Sequence, residues 1–405
     1  MPEQTRGGPL RDVRIIDVTT TFMGPYCTAL LANWGADVVK VEAPGGDVLR
    51  YIGDVRDLGL GPVFINANRG KRSVVLDLKI DSGRQAFAEL VGGADVLVHN
   101  LRPKAAERLG VTAENLIGVN PRLLLCALAG FGKAGPYAGR AAYDDVIQAA
   151  CGLAATQGGR DGAPEYIRSA VADKVMGVFG AAAVLAALHG RSNTGVGGEF
   201  EVPMFEAMTA FTLLEQQGEW VYDPPLGPSG YPRTESPHRR PCKTSDGFLA
   251  VMIYTDAQWK AFFDEIGQPE LAADPRFRSI RERTIHIDEL YGLVNEQMAL
   301  RTTAEWQRVF DEAHIASGAI NTIPNLFTDP HLIETGFFES VDHPVAGPLR
   351  LARPPIRLAG DGGTLRHTPS LGEHTVEILR EAGLDENAID GLLADKAAIQ
   401  WRKDV

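Results

Sequence analysis

The chain has 405 residues, of which 44% are hydrophobic and 23% are charged, a composition typical of folded globular proteins rather than disordered or fibrous ones. Its 40 Lys and Arg against 52 Asp and Glu give a formal net charge of −12, which argues against a nucleic-acid partner because such proteins usually carry a basic surface. At roughly 150 residues per domain, the length predicts two or three domains.

The N-terminal segment MPEQTRGGPLRD lacks an apolar stretch, so we expect no secretory signal. Short β-branched segments then alternate with helical ones through the first 130 residues. Strands are predicted at 13–18, 38–42, 73–78, 95–98 and 123–128, and helices at 25–34 and 82–91. Apolar strands that alternate with helices are typical of a parallel sheet covered on both faces. The sequence therefore predicts an α/β fold with a Rossmann-like, doubly wound parallel sheet.

A 14-residue apolar stretch at 175–188 follows Asp173. It predicts a buried core helix, because a membrane span needs roughly 18 apolar residues or more. A turn cluster at 191–198 and a strand at 199–202 come next. We therefore expect no membrane partner.

Residues 222–241 contain six prolines and two glycines, which is typical of a linker or mobile loop. A strand at 247–254 and amphipathic helices to about residue 325 follow. The predicted domains are a large Rossmann-like, coenzyme-binding domain at 1–221, a smaller α+β domain with linkers at 222–329, and a segment returning to the large domain at 330–405.

The four cysteines are far apart in sequence and form no CxxC pair, namely Cys27, Cys126, Cys151 and Cys242. A disulfide framework or a zinc site would show closer, paired spacings. We therefore expect no metal site and a reducing, cytoplasmic location.

The common catalytic motifs are absent, including GxSxG, HExxH, the P-loop and a GxGxxG after the first strand. The missing glycine fingerprint disfavours a nicotinamide dehydrogenase. Ligands in such sheets nevertheless tend to bind at the carboxyl ends of the strands. We therefore expect a ligand beside the loop that begins at Thr19.

Two groups of cations lie near predicted strand ends. Residues 68–72 (NRGKR) precede the third strand and Lys79 follows it, while Arg102, Lys104 and Arg108 follow the fourth. Cations and free backbone N–H groups bind phosphate, but clustered charges are also common on solvated faces. The pattern leaves both interpretations open.

Asp173 directly precedes the most apolar helix of the chain. An aspartate at a helix start is most often an N-cap. Alternatively, the helix dipole keeps the carboxylate ionised and available as a nucleophile.

The order of longer motifs carries more information. It runs GPYCTALLANWGADVVKVEAPGGD, NRGKRSVVLDLK, ADVLVHNLRP, ERLG, YDDVIQA, ADKVMG, TGVGGEFEV and PSLGEHTVEIL. This series resembles the class III coenzyme A transferases, the CaiB/BaiF family of formyl-CoA and carnitine CoA-transferases that also contains α-methylacyl-CoA racemases.

The resemblance implies a large Rossmann-like domain, a small domain and a homodimer of two interlocked rings. It assigns the catalytic aspartate to Asp173 and places Phe22 and Tyr143 in the acyl pocket. It assigns coenzyme contacts to Met23, Leu76, Lys79, Asn100, Leu101, Arg108 and Tyr143. Coenzyme A and its acyl thioesters are then substrates, and no permanently bound cofactor is expected.

The chain departs from the family at three places. Ala43 stands where some members have an arginine that contacts the nucleotide, and residues 227–230 are only a partial match to a mobile glycine loop. Phe22 replaces a glutamine of the formyl-CoA:oxalate branch. An aromatic side chain there favours a less polar or larger acyl group than formate or oxalate.

The predicted reaction is transfer of coenzyme A from an acyl-CoA thioester to a free carboxylic acid through an aspartyl anhydride and an enzyme–CoA thioester. The alternative is an α-methylacyl-CoA racemase, which needs two bases with pKa values near neutrality. Racemase members have a histidine where this chain has Tyr143, and a tyrosine with an ordinary pKa of about 10 is a poor base. A CoA-binding relative without catalysis is a third possibility, disfavoured by the joint presence of Asp173, Lys79, Asn100 and Arg108.

Overall fold

Buried strands rich in valine, isoleucine and leucine build the larger part of the molecule. The computed structural model describes residues 7–158, 162–356, 358 and 367–401. The chain divides into two units. The first consists of Met1–Gln157, Pro164–Phe211 and Gly336–Val405, and the second of Gly158–Ala163 and Thr212–Thr335. The small domain predicted at 222–329 falls inside the second unit.

The strands of the described residues are β1 (Arg14–Val18), β2 (Asp37–Glu42), β3 (Arg72–Leu76), β4 (Val96–His99), β5 (Leu124–Ala129), β6 (Gly198–Pro203), β7 (Cys242–Lys243), β8 (Phe248–Met252), β9 (Ala316–Ala319), β10 (Phe338–His343), β11 (Gly347–Ala352) and β12 (Ala398–Ile399).

The helices are α1 (Met23–Asn33), α2 (Pro62–Asn68), α3 (Asp81–Gly92), α4 (Pro103–Leu109), α5 (Ala113–Ile117), α6 (Asp144–Ala150), α7 (Leu153–Thr156), α8 (Val171–Thr194), α9 (Met204–Gln216), α10 (Pro232–Glu235), α11 (Asp256–Glu265), α12 (Ile280–Ile285), α13 (Ile287–Met298), α14 (Thr303–Glu312), α15 (Ile323–Leu326), α16 (Pro330–Glu334), α17 (Thr375–Glu381) and α18 (Glu386–Ala394).

The main sheet has the order β12-β3-β2-β1-β4-β5-β6. Strands β1 to β6 are parallel, as predicted, while the edge strand β12 pairs antiparallel with β3. The chain adds β2 and β3 on one side of β1, and β4, β5 and β6 on the other. The direction of winding therefore reverses between β1 and β4, which is where doubly wound sheets place their ligand crevice.

Hydrophobic side chains cover both faces of this sheet. In β4, Leu97 belongs to a cluster with α3, α17 and α18, whereas Val96 and Val98 belong to the cluster with α1 and α8. Successive side chains of a strand point to opposite faces, so a fully apolar strand requires helices on both sides. The doubly covered α/β fold is confirmed.

Helix α8 packs closely on α1. A Cβ atom added to Gly177 would lie 2.7 Å from the Tyr26 ring, and one added to Gly180 would lie 3.0 Å from the sulfur of Cys27. Glycine is therefore required where the two helices touch. The predicted turn at 191–198 is wrong in its first half, because α8 continues to Thr194 and ends at Gly195, whose φ is 75°.

The apolar stretch predicted at 175–188 lies inside α8. Helix α8 has 24 residues, and an 18-residue window within it has a mean hydropathy of 1.8, so by length and composition alone it could cross a membrane. Its contacts with α1 instead fit a core helix of the first unit.

The second unit has its own core. Strands β7, β8 and β9 form an antiparallel sheet, and helices α11, α13 and α14 supply aromatic and aliphatic side chains that include Trp259, Phe262 and Trp306. The loop predicted at 222–241 is partly packed, since it contains α10, in which Arg233 is buried. Proline content alone did not reveal that helical turn.

A buried ion pair lies at the centre of the first unit. Lys71 Nζ is 2.9 Å from Asp17 Oδ2, and both side chains are fully buried. Burial opposes ionisation of Asp17, but Lys71 and Lys40 together with two threonine hydroxyls lower the pKa of Asp17 to about 2. Burial lowers the pKa of Lys71 to about 8, although Asp17 favours the charged lysine.

Replacing Lys71 with Ala should reduce the free energy of unfolding by about 3–5 kcal/mol, because the buried Asp17 carboxylate loses its salt-bridge partner. Urea unfolding followed by circular dichroism measures the change. Arg11→Ala is the control, since its pair with Asp12 is exposed and such pairs contribute about 0–1 kcal/mol. Equal reductions in the two variants would contradict the importance of the buried pair.

Candidate active site

The loops that follow β1 and β4 are tied together at the reversal of the sheet. Asn100 Oδ1 accepts a hydrogen bond from the Thr20 backbone N–H at 3.1 Å, and Asn100 Nδ2 donates to the Thr20 carbonyl at 2.9 Å. This places Asn100 at the edge where a ligand crevice is expected.

Buried charges hold the loop between β1 and α1. Lys40 Nζ donates to the Thr19 carbonyl at 2.8 Å, and Asp47 Oδ1 accepts from the Thr21 N–H at 3.3 Å. Thr21 has a φ of 66°, in the left-handed region that β-branched residues rarely occupy. Such strained residues persist only where surrounding contacts enforce them, and they concentrate at functional sites.

Phe22 and Met23 follow this loop. Met23 begins α1 and its side chain is buried against α8. Phe22 is partly buried and packs against a small cluster that contains Leu49, Leu60 and Phe64. The Phe22 ring is therefore fixed by packing rather than free to move.

Asp173 lies within the first turn of α8, whose N-cap is Ala170. The expectation that Asp173 precedes or caps the helix is therefore wrong. Its backbone N–H donates to Asp144 Oδ1 at 3.0 Å, and Gln148 Nε2 donates to Asp144 Oδ2 at 2.5 Å. Asp144 is the first residue of α6 and follows Tyr143, which is 72% exposed. This hydrogen bond brings the starts of α6 and α8 together.

The start of α1 lies at the same end of α8. Gly177, one turn beyond Asp173, is in contact with Tyr26 and with the carbonyl of Met23. The starts of α1, α6 and α8 therefore lie near one another.

The ionisation of Asp173 differs from expectation. Burial, and secondly the neighbouring carboxylate of Asp144, raise the pKa of Asp173 to about 7. One of the two interpretations of the sequence was that the helix dipole keeps this carboxylate ionised. Desolvation and like charge outweigh a dipole effect that is worth roughly 0.3–1 kcal/mol.

A groove of about 1120 Å³ runs beside the carboxyl ends of β4 and β5. Its lining includes Asn100, Leu101, Arg102, Lys104, Arg108 and Arg140. Arg102, Lys104 and Arg108 are exposed, and none forms a salt bridge within the described part of the chain. Arg102 and Lys104 lie at the start of α4 and Arg108 lies in its last turn, so cations without a salt bridge and a helix N-terminus offer a suitable phosphate-binding surface.

Four predicted coenzyme positions do not line this groove, namely Met23 and Tyr143, described above, and Leu76 and Lys79. Leu76 ends β3 and its side chain is only 1% exposed, while Lys79 is exposed on the following loop. Strand β2 separates β3 from β1. Leu76 and Lys79 are therefore two strands away from the reversal point, and neither lines the groove.

The basic segment 68–72 is not a phosphate site. Lys71 is paired with Asp17, and Arg72 forms salt bridges with Asp37, Glu377 and Glu381. Arg69 is 8% exposed and donates to the Ala352 carbonyl. These cations are buried and bound by internal partners, so this group is neither a phosphate site nor a solvated face.

Sequence reasoning missed Asp144 and His99. Asp144 belongs to the YDDVIQA motif but was given no role. His99, the last residue of β4, lines the groove, and burial lowers its pKa to about 4. Its position directly before Asn100 was the available signal. Within the described ranges, no three His, Cys, Asp or Glu side chains are grouped in a way that could hold a metal ion.

Comparison with known proteins agrees with the motif order. The family model for CoA-transferase family III matches residues 10–375. A succinyl-CoA:mesaconate CoA-transferase of Haloarcula hispanica is 32% identical over 93% of this chain and 97% of its own length. A formyl-CoA:oxalate CoA-transferase of Bradyrhizobium is 33% identical over 92% of this chain and 93% of its own.

A solved structure shows the same likeness. The crystal structure of a CaiB/BaiF family protein from Brucella suis superposes with a TM-score of 0.76, at 29% identity, over 93% of this chain and all of that one. The chain belongs to CoA-transferase family III. The resemblance read from the motifs and the predicted enzyme class, a CoA-transferase, are both confirmed.

Replacing Arg108 or Lys79 with Ala should weaken CoA affinity by about 1.5–3 kcal/mol for each charge-assisted hydrogen bond that the substitution removes. Isothermal titration with CoA measures this, and Arg11→Ala is the control. Because Lys79 lies apart from the groove, the two variants test two separate assignments. Unchanged affinity in either variant removes that residue from the coenzyme site.

Replacing Asp144 with Asn should move the acidic limb of the pH–rate profile of transfer to lower pH. The amide keeps the acceptor for the Asp173 N–H but removes the like charge, so the pKa of Asp173 falls while burial still holds it above the ordinary value. Asp145→Asn, an exposed neighbour in the same helix turn, is the control. An acidic limb that stays in place or moves to higher pH would contradict the effect of Asp144 on the pKa of Asp173.

Proposed function

We propose that this enzyme moves coenzyme A from an acyl-CoA thioester to a free carboxylic acid through covalent intermediates on Asp173. The observation that carries the proposal is the place of Asp173. Its carboxylate lies in the first turn of α8, partly buried, beside Asp144 and at the end where α1 and α6 also begin.

In the first half of the reaction the Asp173 carboxylate attacks the thioester carbonyl, forming a mixed anhydride and releasing CoA thiolate. The thiolate then attacks the aspartyl carbonyl of the anhydride. This forms an enzyme–CoA thioester and releases the donor acid. Covalent catalysis of this kind replaces one difficult exchange by easier steps.

In the second half the acceptor carboxylate attacks the enzyme thioester and releases CoA thiolate again. The thiolate attacks the acceptor carbonyl of the new anhydride, giving the product acyl-CoA and restoring the Asp173 carboxylate. The complete cycle neither takes up nor releases a proton, and it needs no reactant besides the acyl-CoA donor and the acceptor acid.

A pKa of about 7 suits this nucleophile. The carboxylate is more basic than an ordinary one, and it is still ionised in about half of the molecules at neutral pH. Below pH 7 protonation removes the nucleophile, so the acidic limb of the pH–rate profile is assigned to Asp173.

The oxyanions that form need hydrogen-bond donors. The start of a helix, such as that of α8, is one possible source, because its first backbone N–H groups lack partners within the helix. There, however, the backbone N–H groups of Val171, Asp173 and Lys174 already donate to Ser169, Asp144 and Ala170 respectively. The start of α8 is therefore a poor source of donors. The exposed Lys174 binds the Ser169 hydroxyl and is given no catalytic role.

The coenzyme is proposed to lie in the groove, with its phosphates near Arg108 and with Asn100 and Leu101 along its length. The relatives act on succinyl-CoA and mesaconate or on formyl-CoA and oxalate by name. For this chain we propose an acyl group larger or less polar than formyl, because Phe22 occupies the pocket position.

The racemase alternative is not favoured. The named relatives are CoA-transferases, and the position that would need a second base is the exposed Tyr143. Free, buried cysteines fit the proposed cytoplasmic location, and the net charge of −12 fits small-molecule rather than nucleic-acid partners.

Replacing Asp173 with Ala should abolish transfer and leave CoA binding nearly unchanged, since the coenzyme groove does not include this residue. Transfer is followed by mass spectrometry of the CoA esters, and CoA affinity by titration. Asp145→Ala is the matched control and should keep its activity. An Asp173→Ala variant with a substantial share of the original turnover would overturn the assignment.

We also propose the interlocked homodimer. Its support is an apolar surface on the first unit, where Val178 and Phe179 of α8 are 52% and 43% exposed and Val146 of α6 is 47% exposed. Contiguous exposed apolar side chains mark interaction surfaces.

Two threaded rings cannot separate without unfolding, so dilution to the nanomolar range should leave the dimer intact. Mass photometry measures this. A major population near the 43.7 kDa mass of one chain would contradict the interlocked assembly.

A further inference from the structure

A pocket in the second unit contains none of the residues assigned above to the reaction. It is lined by His238, Arg239, Arg240, Met252, Trp259 and Tyr291, among others. Its volume is about 50 Å³, whereas a single water needs roughly 10–15 Å³ on the same measure. The pocket is therefore large enough for a small polyatomic group.

The charges around this pocket are all of one sign. Arg239 and Arg240 lie at its rim with exposed side chains. No aspartate or glutamate is among the residues that line it. Within the described ranges neither arginine forms a salt bridge, so the rim attracts anions.

A third arginine lies behind the wall of the pocket. Arg233 is only 5% exposed, and its Nη2 is 3.8 Å from the sulfur of Met252. Its guanidinium faces the ring of Tyr291, at 5.9 Å from the centroid. Both Met252 and Tyr291 line the pocket.

The buried Nη1 atom of Arg233 has no hydrogen-bond partner in the described part of the chain. Buried charges are normally paired with a counter-charge. Among the described residues no carboxylate forms a salt bridge with this cation, whose neighbours are the Met252 sulfur and the aromatic rings of Tyr291 and of Tyr254, the latter at 5.1 Å.

Trp259 supplies a further donor. Its side chain is 2% exposed and lines the pocket, yet its buried Nε1–H has no acceptor among the described residues. An indole N–H can only donate. The neighbouring Trp306 shows the usual arrangement, because its Nε1–H donates to the Met298 carbonyl at 3.0 Å.

We propose that this pocket binds a small oxyanion, the carboxylate of an organic acid or a phosphate group. Both have acceptor oxygens for the Trp259 donor and negative charge for Arg233, Arg239 and Arg240. Carboxylates and phosphates are also the anionic groups of the substrates of the proposed function. The binding argument itself does not depend on Asp173.

The test is a binding experiment on the full-length enzyme labelled with ¹⁵N-tryptophan. The Trp259 indole resonance, assigned with Trp259→Phe, is followed by TROSY spectroscopy during titration with sodium succinate and, separately, with sodium phosphate. Sodium chloride at matched ionic strength is the reference. The variants are Arg239→Ala/Arg240→Ala and, as control, Arg281→Ala, an exposed arginine of the same unit outside the pocket.

The proposal predicts a saturable shift of the Trp259 resonance, with affinity about tenfold weaker or more in the double variant and unchanged in the control. Saturation by succinate alone identifies a carboxylate ligand, and saturation by phosphate alone identifies a phosphate ligand. A shift of the Trp259 resonance no larger than that caused by chloride would overturn the proposal. Equal affinities in the double variant and the control would overturn it as well. The titration measures binding and not turnover. Its outcome is therefore independent of whether Asp173→Ala loses transfer activity.

Discussion

The arrangement of the candidate active site depends on a lysine that is buried beside an aspartate. Lys71 donates to Asp17 of β1 and to the Pro25 carbonyl at the start of α1, each at 2.9 Å. Because a buried ammonium is costly unless its charge is paired and its donors have acceptors, these contacts restrict how the strand and the helix lie relative to each other. The intervening loop is then confined, and Thr21 adopts a positive φ that an unconstrained chain would avoid. Helix α8, which carries Asp173, packs on the helix fixed in this way.

Two aspartates of the same unit show opposite ionisation. Burial acts to raise the pKa of each, but Asp17 has two lysines beside it and its pKa falls to about 2. Asp173 has another carboxylate as its neighbour, and its pKa rises to about 7. The first is a permanent charge that stabilises the fold. The second exchanges its proton near neutral pH, where the proposed nucleophile is regenerated in every cycle.

The sequence predicted the strands from runs of apolar residues, and it gave Asp173 as the candidate nucleophile from the motif around it. Both signals are local in sequence. The sequence could not predict contacts that depend on strand order. Arg72 was a candidate phosphate ligand until the fold placed Glu381, from the far end of the chain, against it. The pairing of Asp173 with Asp144 likewise joins two helix starts. Arg233 lies in a proline-rich segment whose composition indicates a loop. In the structure this segment contains the short helix α10, in which Arg233 is buried.

The central claim is that an acyl bond forms on Asp173, and trapping that bond tests it most directly. The enzyme is incubated with an acyl-CoA donor and no acceptor acid, then treated with hydroxylamine or borohydride, and its peptides are weighed by mass spectrometry. The mechanism predicts a donor-dependent hydroxamate, or reduction to an alcohol, at Asp173, because anhydrides and thioesters react with both reagents while a carboxylate does not. An unmodified Asp173 peptide, from enzyme shown to be active in transfer, would contradict the mechanism.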